Sequence, residues 1–352
     1  MEKYSQFRDK GTAIAPFLPV PPAPSGFLWT PVSLFVFLIR LPFLLGISTL
    51  YFTVLEWVPV GHAIKYCALW LMLGIPGVWW VDLQVDGVKR GQLNAARDHL
   101  PKAGTIIASS FTSPLDPLYL AGIFQPIFTR AYPHTRKVER ITLFRAILLA
   151  FSPPQLAPSK DAKLFTLAEL TEQNPTKIIC VFPETTTTNG RGILPLSPCL
   201  LSASGTTKIY AVNLRYTPQD ITTPVPGGYA SWIWKLLHKP THQMRVRIAT
   251  KIYNSRTQDF PATEPSKAKA SGYDTNIFDL PAFKQNGQDE DEGAMEVEIG
   301  NGKNREEEVS PDEQRVLDRV AEDLARLGRV KRVGLGVEDK VAFLQVWGAR
   351  RR

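Results

Sequence analysis

Cysteine is scarce in this 352-residue chain: Cys67, Cys180 and Cys199 are the whole set, with no CxxC spacing. That excludes a disulfide-built secreted scaffold and a cysteine zinc site. The five histidines are scattered without metal-ligand spacing, so no metal is expected. No Gly-rich phosphate loop and no internal repeat is found, and nothing marks a nucleic-acid reading module. Charge is nearly missing from Phe27 to Leu55, where Arg40 is the one charged residue in 29 positions. A second uncharged run of 16 residues covers Tyr66 to Val81. The apolar region starts too late, and lacks the small-residue cleavage site, for a signal peptide.

What is present is a chain 44% hydrophobic and 10% aromatic, enough to bury a substantial core and too apolar to be disordered throughout. Its formal charge is +8, unevenly spread. Asp289 to Glu313 holds 11 acidic and 2 basic residues, a local −9 that leaves +17 on the remainder. So basic a body expects an anionic partner such as phosphate-bearing lipid or nucleotide.

A membrane span takes roughly 20 apolar residues, and the first run is long enough. Arg40-Leu41-Pro42 interrupts it, so two pictures stand: one kinked span with Arg40 snorkelling to an interface, or a re-entrant hairpin. The second run contains Pro76 and ends at Trp79 and Trp80, which suits an interfacial helix. Lys3, Arg8 and Lys10 before the first run favour a cytoplasmic N-terminus.

The organisation reads in five parts. Residues 1–26 form an extended Pro-rich arm, and 27–81 are membrane-embedded helices. Residues 82–256 alternate strand-like and helix-like runs, giving an α/β fold with a mixed sheet flanked by helices. Strands are expected at Thr105–Ala108, Ile178–Phe182 and Ile209–Leu214, and helices at Leu115–Phe124 and Leu164–Gln173. Residues 257–309 read as a disordered acidic insertion, and 310–352 as C-terminal helices with a basic tail. Ser310-Pro311-Asp312-Glu313 spells a capping box, and a last helix is expected over Val337–Trp347.

Two segments carry chemistry. In Ser109 to Leu118, a strand runs into a helix, with Ser113, Pro114 and Asp116 at its start. The same residues would cap a helix without any catalytic role. In Val181 to Gly192, a buried strand ends at Glu184 and a hydroxyl-rich turn, Thr185 to Thr188, leads through Asn189-Gly190 to Arg191. One carboxylate, several hydroxyls and an Arg suit the grip of a phosphorylated polyol, since Arg pairs phosphate oxygens in bidentate fashion. A third stretch, Trp232 to Arg256, is basic and aromatic with no acidic residue. It reads either as a face for anionic headgroups or CoA phosphates, or as a solvated strand face.

Together the first two segments resemble the motifs of the glycerophospholipid (lysophospholipid) acyltransferase superfamily. Phe182-Pro183-Glu184 and Asn189-Gly190-Arg191 match its Phe-Pro-Glu-Gly-Thr motif and extension, with Thr185 in place of Gly. Ser113-Pro114-Leu115-Asp116 matches the second half of Asn-His-x-x-x-x-Asp. Val212 to Tyr216, with Arg215, fits the later strand motif. The arm Phe7 to Thr12 and the Ser-Pro-Leu-Asp variant are most similar to fungal lysophosphatidic acid acyltransferases of lipid droplets. Phe111 stands where the family has its catalytic His. Arg145 or Lys160 would supply the middle motif's phosphate-binding cation, and His134 is the nearest replacement base.

The resemblance implies a membrane-bound transfer of a fatty acyl group from acyl-CoA to a lysophospholipid, foremost lysophosphatidic acid. Asp116 is then the surviving half of the catalytic dyad. Ser113, Glu184, Thr185, Thr186, Asn189, Arg191 and Arg215 contact substrate. The implied partners are the bilayer and the two substrates, acyl-CoA being a co-substrate rather than a cofactor. The implied location is the endoplasmic reticulum membrane or the lipid droplet, with the site facing the cytosol. The alternative, drawn from Phe111, is a decayed fold that binds lipid or acts as a scaffold.

Overall fold

The computed structural model describes residues 2–22, 26, 29–58, 61–88, 99–254 and 309–349. The acidic insertion expected over 257–309 therefore lies, but for Val309, outside the described residues, as does the basic tail 350–352. In chain order the elements are α1 (Thr30–Leu50), α2 (His62–Gly74), β1 (Trp80–Val85), β2 (Ile106–Ser109), α3 (Leu115–Phe124), β3 (Ile127–Arg130) and β4 (Val138–Ile141). There follow α4 (Leu143–Leu149), β5 (Leu164–Phe165), α5 (Leu167–Gln173), β6 (Ile179–Val181), β7 (Gly192–Ile193), β8 (Lys208–Thr217), α6 (Tyr229–Leu237), β9 (Gln243–Ile248) and β10 (Ile252–Tyr253). The last three are α7 (Pro311–Gly328), β11 (Lys331–Arg332) and α8 (Val337–Ala349).

A nine-stranded mixed sheet runs in the order β1-β9-β8-β2-β6-β3-β4-β5, with β10 paired to β8. Its centre, β8-β2-β6-β3, is parallel, and antiparallel pairs flank it. Central strands covered on both faces read as unbroken apolar runs, which is why Ile178 to Phe182 shows no polar alternation. Ile107, Cys180 and Tyr210 face one cluster with α2 and α3; Ile106, Ile179 and Ile209 face another with α5 and α7. Strand alternation deals successive side chains to the two layers.

The helical ends follow local chemistry. Ser310 and Glu313 close a reciprocal capping box on α7, with Pro311 in the first turn. The helix expected from Leu164 instead starts at Leu167. Leu164 and Phe165 pair with β4, and Thr166 caps the helix by a box with Glu169.

The first apolar run is one helix, α1 extended by a π turn at Tyr51–Leu55. The chain does not turn back at Arg40–Pro42, so the re-entrant hairpin is not formed. Its 26 residues are long and apolar enough to cross a membrane, about 39 Å at the usual rise per residue, against a hydrocarbon core of about 30 Å. Phe35, Leu38, Phe43 and Leu45 lie exposed along it. Arg40 does not snorkel. Its guanidinium donates to the carbonyls of Lys239 (2.6 Å), Pro240 (2.9 Å) and Pro76 (3.3 Å), clamping the helix to the α/β domain.

The arm is also not simply extended. Glu2–Phe7 forms a 3-10 turn, and Tyr4, Phe7 and Phe17 pack on Phe343 and Trp347 of α8. The prolines begin only at Pro16, leaving Tyr4 and Phe7 ahead of them to fold against the C-terminal helix.

Candidate active site

Asp116 lies fully buried in the first turn of α3, past the carboxyl end of β2. The loop Thr112-Ser113 curls so that its backbone N–H groups reach back to the carboxylate. Thr112 N donates to Asp116 Oδ2 at 2.6 Å, Ser113 N at 2.9 Å and Thr112 Oγ1 at 3.2 Å. The phenol of Tyr216, from the end of β8, donates to Oδ1 at 2.5 Å. Burial pushes the Asp116 carboxyl up to about 6, against the pull of Tyr216, Thr112 and Ser113. The Tyr216 hydroxyl is held well above its ordinary value by burial and by that carboxylate.

Phe111 is buried, its ring stacked on Phe182 with centroids 4.5 Å apart. The position that resembles the family's His is thus filled by an aromatic pair inside the core cluster that reaches Tyr51 and Leu55 at the end of the long apolar helix.

Glu184 follows β6 and is fully buried. Leu194 N donates to its Oε2 at 3.2 Å, and Oε1 has no hydrogen-bond partner among the described residues. Burial raises its carboxyl to about 8, with the Leu194 and Phe111 N–H dipoles pulling down, so it is largely protonated at neutral pH. Thr185 is held at φ +57°, left-handed backbone that glycine takes most easily, and its buried hydroxyl is likewise unpartnered among the described residues.

The two loops are stitched together. Thr188 N donates to Phe111 O (3.1 Å), Thr223 N to Thr112 O (2.9 Å) and Thr187 Oγ1 to Thr223 O (2.6 Å). A residue absent from the sequence expectations completes them: Lys340 of α8 is fully buried, its Nζ donating to Thr187 O (2.5 Å), Thr186 Oγ1 (2.8 Å) and Thr187 Oγ1 (3.2 Å). Burial lowers its ammonium to about 7, against the favourable charge of Glu184. Its spacing in the stripe Val337, Lys340, Leu344, Trp347 is the signal that could have found it.

The other expected residues divide. Ser113 Oγ donates to Ile221 O at 3.1 Å, binding the loop to the segment after β8. Asn189 donates to Ala15 O (2.7 Å) and Leu18 O (2.9 Å), so it ties down the N-terminal arm. Thr186 lies in the Lys340 cluster. Arg191 is exposed, and no hydrogen bond or ion pair of its guanidinium is found among the described residues, so the structure does not bring it to the carboxylates. Arg215 donates to Gly328 O at 3.1 Å. Arg145 is paired with Glu139 at 2.6 Å, and Lys160 is exposed. His134 is exposed beside Glu338 at 3.3 Å and is not the missing base. Trp232 and Trp234 sit in α6, and the strands Gln243–Ile248 and Ile252–Tyr253 follow it, so the basic stretch is not one strand face. Among the described residues no group of His, Cys, Asp and Glu could hold a metal ion.

A parallel-centred sheet with a loop-held Asp and a buried Glu at its carboxyl edge, next to an apolar helix, is the arrangement that the resemblance to the acyltransferase superfamily implies. The chain is similar to a Schizosaccharomyces pombe protein whose name makes it a candidate lysophosphatidic acid:oleoyl-CoA acyltransferase: 27% identical over 259 residues, 71% of this chain and 84% of that one. It is similar also to lysophosphatidic acid:oleoyl-CoA acyltransferase 1 of Saccharomyces cerevisiae, 28% identical over 199 residues, 56% of this chain and 61% of that one. No family model and no solved structure matches. The resemblance drawn from the motifs is thereby borne out.

Proposed function

We propose that this chain is a membrane-bound acyltransferase that moves a fatty acyl group from acyl-CoA to a lysophospholipid, foremost lysophosphatidic acid. The observation that carries it is the Asp116–Tyr216 pair, built at the sheet edge where the resembling family has its dyad, together with the two named relatives. With Phe111 unable to take a proton, Tyr216 fills the hydrogen-bonding place on Asp116. The acceptor hydroxyl passes its proton to Tyr216 Oη as Tyr216 passes its own to Asp116. The alkoxide oxygen then bonds to the thioester carbonyl carbon, the C–S bond breaks, and the CoA thiolate leaves and takes the proton. Such base catalysis is worth about 10²–10⁴-fold. Protonated Glu184 and the hydroxyls of Thr185 and Thr186 orient the acceptor's glycerol. No metal or resident cofactor enters this chemistry. A 490 Å³ apolar cavity between α1 and α2, lined by Phe43, Trp70 and Leu71, suits an acyl chain. The endoplasmic reticulum or lipid-droplet surface, with the site toward the cytosol, is the setting this reading assigns.

The second reading, a lipid-binding protein without turnover, is favoured by the Phe111–Phe182 stack. Reconstituted protein given labelled oleoyl-CoA and lysophosphatidic acid decides between them. Asp116→Asn is expected to lower transfer at least a hundredfold. Tyr216→Phe is expected to lower it too, and to move the acidic limb of the pH–rate profile upward, because the Tyr216 bond holds the Asp116 pKa down. Undiminished transfer in Asp116→Asn refutes the mechanism. Bound lipid with no wild-type product establishes the second reading.

A further inference from the structure

The sheet face formed by β1, β9 and β8 is polar in cross-strand rows. Register sets Trp80 beside Gln243 beside Thr217, then Asp82 beside Arg245 beside Arg215, then Gln84 beside Arg247 beside Asn213. Helix α7 ends over the third row. Arg247 and Arg215 donate to its last carbonyls, Leu327 O and Gly328 O, which complements the negative end of the helix dipole. Beyond Gly328 the chain turns at Arg329 (φ +51°) and the first two rows stay uncovered.

The result is a 700 Å³ cavity whose lining includes Arg215, Arg245, Arg329, Gln219 and Gln243. One carboxylate, Asp82, lines it, bonded to Arg245 Nε at 3.2 Å. Arg329, Arg245 and Arg215 also add to the lowering of the Arg247 pKa, after burial and against the pull of Asp82, so each of the three guanidiniums stands within repulsive range of Arg247. An anion in the cavity would offset that repulsion. Helix capping accounts for Arg215 and Arg247 but not for Arg245 and Arg329.

Its place is as telling as its charge. Strand β8 runs parallel to β2, so Arg215 and Tyr216 lie past the same carboxyl edge as Asp116. A narrow cleft of 10 Å³ shares Arg215, Tyr216 and Gln219 with the cavity and is otherwise lined in part by Thr112, Thr188 and Asn189 of the two site loops. Exposed Arg191 leaves the site without the cation expected there; the cavity supplies cations one step along the edge.

We infer that this cavity is the subsite for a phosphate monoester carried by a substrate, gripped by Arg245 and Arg329. The inference rests on the acyl-transfer reading, in which both substrates bear such a group: the 3′-phosphate of CoA and the phosphate of lysophosphatidic acid. The exposed indole of Trp80 at the cavity wall offers a stacking face that the nucleotide alone would use.

The test uses full-length protein in phosphatidylcholine nanodiscs, titrated calorimetrically with adenosine 3′,5′-bisphosphate and, separately, with a water-soluble short-chain lysophosphatidic acid. One of the two is expected to lose about tenfold or more in affinity in R245Q/R329Q, as charge-assisted hydrogen bonds are removed. The arm that responds names the source. K208Q/K251Q removes the same charge at the other end of β8 and is expected to bind as wild type. Unchanged affinity in R245Q/R329Q, equal weakening in K208Q/K251Q, or binding of neither probe by the wild type overturns the subsite. Loss of affinity in R245Q/R329Q, in a protein that turns over no acyl-CoA, leaves the subsite standing and sinks the acyl-transfer reading instead.

Discussion

Replacing Lys340 with Met keeps the apolar stem and deletes the ammonium beneath the threonine loop. Two opposed effects follow. The Thr187 carbonyl loses its 2.5 Å donor and the Thr186 and Thr187 hydroxyls lose theirs, a cost of about 1–3 kcal/mol for each buried group left unmatched. Against this, the fold no longer has to hold an amine whose pKa burial lowers from 10.5 to about 7. Between those two values the unfolded chain binds the extra proton, so the wild type gains stability as pH rises, by ~1.4 kcal/mol per pH unit. Below pH 7 that gain is gone. Glu184 works in the other direction: its carboxyl, raised from 4.5 to about 8, costs stability as pH climbs through that range. It is present in both proteins and largely cancels from their difference. The melting temperature of the wild type minus that of Lys340→Met should therefore climb between pH 7 and 9.5 and stay level below pH 7. Each kcal/mol corresponds to about 2–4 °C for a unit of this size. Thermal unfolding in nanodiscs at four pH values reads it. A difference that is flat across the whole range refutes the burial of a titrating amine at this position.

Two further substitutions probe the frame around the site. Arg40→Leu strands three carbonyls, those of Pro76, Lys239 and Pro240, and is expected to cost on the order of 2–4 kcal/mol, read as a fall in melting temperature. Arg40→Lys should recover only part of it, since an ammonium lacks the planar fork; an unaltered melting temperature in Arg40→Leu would show the clamp to be idle. Thr185→Gly releases a left-handed backbone and removes an unpartnered buried hydroxyl. It should raise stability by about 1 kcal/mol, and a lower melting temperature than wild type would count against the strain.

The parts legible in the sequence are those whose physics is local. Ile178 to Phe182 announces a strand covered on both faces, Ser310 to Glu313 writes its own cap, and 29 positions with one charge announce a helix long and apolar enough to cross a membrane. Asp116 and Glu184 stood out as candidates because Glu184 follows the apolar run Ile178 to Phe182 and Asp116 opens the apolar helix that ends at Phe124, which places each at a strand or helix edge. The misreadings that concern charge have a common cause: the partners are far along the chain. Arg40 looks like a residue that must escape an apolar helix until Lys239 and Pro240, some 200 positions on, present their carbonyls. Lys340 shows in the sequence only as one place in an otherwise apolar stripe, and the loop of Thr186 and Thr187 that accepts its hydrogen bonds lies more than 150 residues earlier.

Arg191 shows the converse. Its motif neighbours Asn189 and Gly190 are spent on binding the N-terminal arm and turning the chain at φ +72°, and the guanidinium is left outside. The register of β1, β9 and β8 instead brings Asp82, Arg245 and Arg215 side by side. No spacing rule links those three, since they sit on three separate strands brought together only by the folded sheet. A buried or clustered charge is decided by which distant group answers it. On the acyl-transfer reading, the search for a cation to meet the substrate phosphate therefore belongs on the sheet edge at Arg245 and Arg329, rather than in the loop where sequence adjacency places it.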